Sequence, residues 1–311
     1  MEHNHKEHKH NNDHDHKNKL NIKLLLSIIL NLTITISEII GGLVSNSLSL
    51  LSDAVHNLSD TVSIVLTYIS IKIGSKQKTY KYTFGFKRIE ILSALINAAT
   101  LWVISVFLII HAYERFITPQ SINSKIMFII SIIGLLGNLF SVLMLHNHSQ
   151  ESMNIKSAYL HLLADTFSSI GVIFGSVLIY FYKIYWIDPL ITVIIVFYIL
   201  KESWDIIRDT LHILLQGAPT NINLKKIEEL LKKIENVENI HHSHIWSLSE
   251  KEIFFESHIN IKDMPVSNTA ELTRQIKKLL YDNFGITHIT LQYEVNGCPD
   301  YDIINNKEFT I

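Results

Sequence analysis

Two short stretches place ionisable side chains in apolar surroundings at the same spacing. SLSLLSDAVHNLSD carries His56 and Asp60, and AYLHLLADTFSS carries His161 and Asp165. Residues four apart stack on one face of a helix, so each His lies over its Asp. Ionisable groups inside apolar spans are costly and call for a partner or a task. A single pair could serve to hydrogen-bond two helices together. A repeated pair offers two imidazoles and two carboxylates from facing helices, which suits a tetrahedral zinc site. Two carboxylates neutralise Zn2+, and that lowers the cost of burying the loaded site. Protons compete for the same four side chains, which opens a route to metal-for-proton exchange.

The segments that must carry these pairs are membrane-like. The chain has 311 residues, 48% of them hydrophobic and 18% charged, against about a quarter charged in soluble domains. A membrane helix needs about 20 mostly apolar residues. Six such segments are predicted, at about 22–44, 48–73, 87–113, 123–145, 157–181 and 186–201. The second connection carries Lys72, Lys76, Lys78, Lys81, Lys87 and Arg88, while the first carries no basic residue. The positive-inside rule places the N-terminus and the second connection in the cytoplasm, and six spans return the C-terminus to that side. Glu38, Asp53, Asn97, Asn138 and Ser168 read as packing groups, and Gly134–Gly137 and Gly171–Gly175 as sites of close helix approach. Phe84, Gly85, Lys87, Arg88 and Glu90 read as a snorkelling charged end of the third span.

After about residue 205 the pattern changes. Residues 223–235 and 267–283 have helical spacing of apolar residues. Residues 240–247, 252–261 and 287–295 read as strands. The order α-β-β-α-β suits a small α+β domain with helices on one face of a sheet, and its size favours dimerisation. His241, His242, His244, His258, His288 and Glu294 fall here, with Cys298 nearby. Strand alternation puts His242 and His244 on one face and turns His241 away. Residues 1–19 hold His3, His5, His8, His10, His14 and His16 among polar residues, read as a disordered, metal-buffering or inert tail. The expected organisation is tail 1–19, membrane domain 20–204, metal-binding domain 205–295 and C-terminal tail 296–311. One cysteine excludes a disulfide framework, and a net charge of −2 argues against a nucleic-acid partner.

Taken together, SEIIGGLVSNSLSLLSDAVHNLSD (37–60), YTFGFKRIEIL (82–92), SAYLHLLADTFSSIGVI (157–173), HSHIWSLS (242–249), ESHINI (256–261) and THITLQYE (287–294) resemble the cation diffusion facilitator family, in its zinc-exporting (cobalt-zinc-cadmium resistance) branch. The resemblance implies an α-helical membrane protein with six transmembrane helices, a cytoplasmic ferredoxin-like domain, a homodimer, and exchange of Zn2+ for H+ rather than enzyme activity. Carried over by position, it implies a transport site of His56, Asp60, His161 and Asp165. His at the first position of both pairs is similar to the zinc-preferring pattern. It also implies cytoplasmic ligands His242, His258, His288 and Glu294, with Zn2+ as a regulatory ligand as well as the substrate. The chain departs from some relatives in having a single Cys near its end and no His in the second connection. The expected setting is a bacterial cell membrane with both termini cytoplasmic. The rival readings are a metal sensor without transport, a membrane metalloenzyme, and a transporter of wider range including Cd2+, Co2+ and Fe2+.

Overall fold

The structure is a computed structural model of the chain and describes residues 29–146, 153–249, 252–297 and 303. The histidine-rich segment 1–19 and Cys298 lie outside the described residues. The chain divides into two compact units, one combining residues up to Tyr68 with Ile96–Ile206, the other combining Ile69–Leu95 with Ile207 onward.

The first unit is helical. Its elements are α1 (Ile29–Ser45), α2 (Leu48–Gly74), α3 (Arg88–Ile117), α4 (Ser124–His146), α5 (Met153–Tyr182) and α6 (Ile187–Leu214); α2, α3 and α6 continue into the second unit. Arg88–Ile117, Ser124–Leu143 and Tyr159–Tyr182 are long and apolar enough to cross a membrane, and the described part of α1 is a shorter apolar helix. At 27 and 28 residues, α2 and α6 are long enough too, but polar residues interrupt their apolar runs. The sixth apolar segment was expected to end near 201, and α6 runs on to Leu214. Lys201, Glu202, Asp205, Arg208 and Asp209 end the apolar run there, but they are exposed and do not break a helix.

The start of α2, the helix that carries His56 and Asp60, is fixed by Asp188 of α6. This fully buried carboxylate accepts hydrogen bonds from Ser47 Oγ (2.6 Å), Leu48 N (2.8 Å), Ser49 N (3.2 Å) and Ser49 Oγ (2.6 Å). Those backbone N–H groups are the ones a helix start leaves unpaired, and an anion there also opposes the helix dipole. Arg115 Nη1 lies 3.8 Å from the same carboxylate and also donates to the Asn46 carbonyl. Packing between helices is close at Gly137, where an added Cβ would collide with Ile34, and at Gly175, where it would collide with Ile191. Gly171 departs from expectation: a Cβ there meets nothing within 4 Å, so no helix among the described residues approaches it closely.

The second unit holds α7 (Leu224–Leu231), β1 (Val237–Ser247), β2 (Ile253–Ile261), α8 (Val266–Phe284) and β3 (His288–Glu294). Asn223 caps α7 by accepting from Lys225 N at 2.9 Å, and Gly285 ends α8 in the left-handed region at φ 67°. The sheet order is β1-β2-β3, with β1 antiparallel and β3 parallel to β2. Ile227 and Leu231 of α7 and Leu272, Ile276 and Leu280 of α8 share one core with Ile240, Ile245, Phe255 and Ile259 of the strands. The helices thus cover one face of the sheet, as the pattern predicted, and alternation sends Phe254, Glu256, His258 and Asn260 of β2 to the other. Lys87, expected to snorkel at a helix end, instead pairs with Glu252 at 3.0 Å.

Candidate metal centres

The two HxxxD pairs meet within the helical unit. His161 Nε2 of α5 lies 2.9 Å from Asp60 Oδ2 of α2, and His56 Nε2 lies 3.5 Å from Asp165 Oδ1. Within each helix, His56 Nε2 is 3.9 Å from Asp60 Oδ2, and His161 Nε2 is 3.7 Å from Asp165 Oδ2. Ligand atoms about 2.0–2.1 Å from a tetrahedral zinc ion are roughly 3.3 Å from one another, close to these separations. Donor atoms of His56, His161 and Asp165 all fall within 4.8 Å of one another; Asp60 falls outside that set and adjoins it through its contact with His161. His56 Nε2 and both Asp165 oxygens have no hydrogen-bond partner among the described residues. Buried polar atoms are normally paired, so atoms converging without partners fit a site for a cation.

The site is closed on one side. The side chains of His56 and Asp165 are 6% and 1% exposed, whereas those of Asp60 and His161 are each 28% exposed. Asp60 follows His56 toward the second connection, and His161 precedes Asp165 on the side of the fourth. Both exposed ligands therefore lie toward the same set of loops.

A further polar layer adjoins this one. Asn57 Nδ2 donates to Glu38 Oε2 at 2.9 Å, and Ser168 Oγ donates to Asp53 Oδ1 at 2.5 Å. Asn97 donates to Ser59 and Ser63, joining α3 to α2. These contacts agree with packing roles for Asp53, Asn97 and Ser168. Glu38 differs, because one of its buried oxygens has no hydrogen-bond partner among the described residues.

In the second unit, His258 Nδ1 lies 2.7 Å from Glu294 Oε1, and His241 Nε2 lies 3.2 Å from Glu294 Oε2. The sequence reading turned His241 away and chose His242. A β-bulge reverses that choice: the ladder pairs His241 with His258 and resumes at His244 with Glu256, leaving His242 and Ser243 opposite one residue. His242 takes φ 48°, and the Ser243 N–H bonds the Ile303 carbonyl at 2.8 Å. An extra residue shifts the alternation, so His241 and His244 share the face of His258. The His242 ring still lies 4.9 Å from that of His258, between centroids. Partial burial, followed by the neighbouring His244 and His258, lowers its pKa below the ordinary value.

His288 stands apart from this cluster. It is in register with Phe254, its ring 4.4 Å from that ring. Four residues of strand, about 13 Å, separate that position from His258. Gly297 packs against the Glu294 carboxylate so closely that a Cβ would overlap Oε2, and its carbonyl accepts from Asn260 Nδ2 at 2.6 Å. The sequence reading missed both His241 and Gly297. Neither a bulge nor a close backbone approach leaves a mark in strand alternation.

Comparison with known proteins places this geometry. Residues 24–215 match the cation efflux transmembrane domain, and residues 219–296 match the cytoplasmic domain of cation efflux proteins. The cadmium, cobalt and zinc/H(+)-K(+) antiporter of Bacillus subtilis is 38% identical over 84% of this chain and 85% of its own length. The metal cation efflux system protein CzcD of Cupriavidus metallidurans is 35% identical over 86% of this chain and 84% of its own. The zinc transporter ZitB of Escherichia coli is 32% identical over 87% of this chain and 86% of its own.

Proposed function

The chain belongs to the cation efflux (cation diffusion facilitator) family, and from that premise we propose a homodimeric antiporter of six spans that carries Zn2+ out of the cytoplasm in exchange for protons. It is an efflux transporter of divalent cations, zinc among them, and not an enzyme. The observation that carries the reading of its site is the convergence of two HxxxD pairs from α2 and α5, with His161 Nε2 2.9 Å from Asp60 Oδ2 and the Asp165 oxygens buried without hydrogen-bond partners among the described residues.

In this reading α1 to α6 are the six spans, residues 20–204 the membrane domain and 205–295 a ferredoxin-like cytoplasmic domain. Zn2+ enters past Asp60 and His161, the exposed ligands on the cytoplasmic side, and is held with His56 and Asp165. Neutral His and ionised Asp are the binding forms, so each ligand that binds zinc must first be free of protons. Protons arriving from the outer side take those positions and release the ion. Rocking of the helices that carry the site exposes it to each side in turn. A negative cell interior opposes Zn2+ export by about 2.3 kcal/mol per charge per 100 mV, or about 4.6 kcal/mol for the ion. One entering proton halves that electrical cost, and a pH gradient adds further drive.

Cytoplasmic Zn2+ is the ligand we assign to His241, His258 and Glu294, where it biases the dimer between states. His242 adjoins that set, and His288 lies outside it within one protomer. The relatives' names include cadmium, cobalt and K+, and an N2O2 set accepts Cd2+, Co2+ and Fe2+ as well as Zn2+. A membrane metal sensor is the competing reading, and flux separates the two. Full-length protein in proteoliposomes with an imposed pH gradient is expected to accumulate zinc while protons leave. Zinc accumulation that is indifferent to the gradient and lacks proton counterflow would refute antiport, and absence of any flux would favour the sensor.

A further inference from the structure

Among the described residues, three buried carboxylates of the helical unit belong to neither HxxxD pair: Glu38, Asp53 and Asp188. Glu38 of α1 is 1% exposed. Its side chain is hydrogen-bonded to Asn57, and Oε1 has no hydrogen-bond partner among the described residues. That oxygen faces the α4 backbone at Gly134. A Cβ added there would lie 2.7 Å from Oε1 and 3.7 Å from the Ser169 hydroxyl. Glycine at 134 thus leaves the carboxyl its seat between α1 and α4.

Two buried acids share this layer, Asp53 of α2 and Asp165 of α5, and Asp53 weighs on Glu38 more than Asp165 does. Helix α4 brings Gly134 to this level, with Asn138 the next polar residue one turn away. An ionised Glu38 would therefore be a buried anion stabilised by one neutral amide and opposed by two acids, a costly arrangement. A single proton on Oε1 removes the charge and turns an acceptor without a partner into a donor.

We propose that Glu38 is a proton seat of the transport cycle outside the metal-ligand set, protonated while the transport site lacks zinc and deprotonated when zinc binds. The proposal rests on the transport reading above. Its physical link is Asp165. With no metal bound, the Asp165 carboxylate opposes a second negative charge on Glu38. Zn2+ offsets the charge of the two ligand carboxylates and removes that opposition, so Glu38 ionises more readily and its proton leaves to water. Coupling of this kind is reciprocal, so a proton returning to Glu38 weakens zinc binding. The seat adds a counter-proton without asking the four ligands to carry every proton themselves.

The test compares full-length wild type with Glu38→Gln in proteoliposomes, reading zinc and proton fluxes together with two dyes. Gln keeps an acceptor for Asn57 and carries no exchangeable carboxyl proton. The variant is expected to move zinc with about one fewer proton per ion. A merely structural role would lower both fluxes in step, and an unchanged proton-to-zinc ratio overturns the proposal. If Glu38→Gln does not assemble, infrared difference spectra of protein labelled with 13C-glutamate decide, recorded on adding zinc to Glu294→Gln. None of the four transport ligands is a glutamate, so loss of a protonated glutamate carbonyl band supports the seat, and absence of that band overturns it. Lack of zinc flux in the wild type would count against the transport reading and leave the infrared test of Glu38 in force.

Discussion

Asp60 and Asp165 are the two carboxylates of the proposed transport site, in unequal surroundings, and replacing each by Asn tests whether burial sets its contribution. Asp165 is 1% exposed and has no hydrogen-bond partner on either oxygen among the described residues. With zinc bound, Asp165→Asn leaves a buried, uncompensated positive charge. Removing one partner of a buried ion pair costs about 3–5 kcal/mol, so zinc affinity falls roughly 150- to 4,000-fold at about 1.4 kcal/mol per tenfold. Asp60 is 28% exposed, and water replaces part of what its charge supplies. Discounted for that screening, Asp60→Asn costs about 1–2 kcal/mol, or roughly 5- to 30-fold. The assay is competition of purified full-length variants with a fluorescent zinc chelator, in a His241→Ala, His258→Ala background that silences the cytoplasmic cluster. Size-exclusion chromatography checks that each variant assembles. A loss at Asp60→Asn equal to or greater than that at Asp165→Asn would refute the argument from burial.

Asp188→Asn turns one acceptor oxygen into an N–H2 facing the donors at the start of α2. It is expected to cost about 3–5 kcal/mol and to lower the thermal midpoint of the full-length protein by roughly 10 °C; an unchanged midpoint would show that the cap is dispensable. Gly175→Ala forces a methyl onto Ile191 and should destabilise by about 1–3 kcal/mol, whereas Gly171→Ala, in open space, should be neutral or stabilise by about 0.4–1 kcal/mol. Equal effects in the same thermal assay would contradict the packing. Gly297→Ala displaces the Glu294 carboxylate, so calorimetry on the full-length protein should find the cytoplasmic zinc phase weakened about 10- to 100-fold and the membrane phase retained. No change in the cytoplasmic phase would separate Glu294 from the metal.

The sequence by itself determined the membrane-like segments, the α-β-β-α-β order and both HxxxD pairs. Each follows from local spacing, since apolar run length and the periods of helix and strand act within one segment. The same reasoning misjudged features set between segments. Charged residues 201–209 end an apolar run, yet the helix continues to Leu214, because exposed charged residues do not break a helix. Alternation chose His242 over His241, and a one-residue bulge whose freed N–H is satisfied by distant Ile303 put His241 on the face of His258 and Glu294. His288 has the right residue type, but parallel register with β2 places it opposite Phe254 rather than beside His258. Glu38 looked like a packing group until helix approach at Gly134 left one of its oxygens without a hydrogen-bond partner among the described residues. Register, bulges and the distance between helices are collective results of packing the whole chain, so only the tertiary structure could assign these residues.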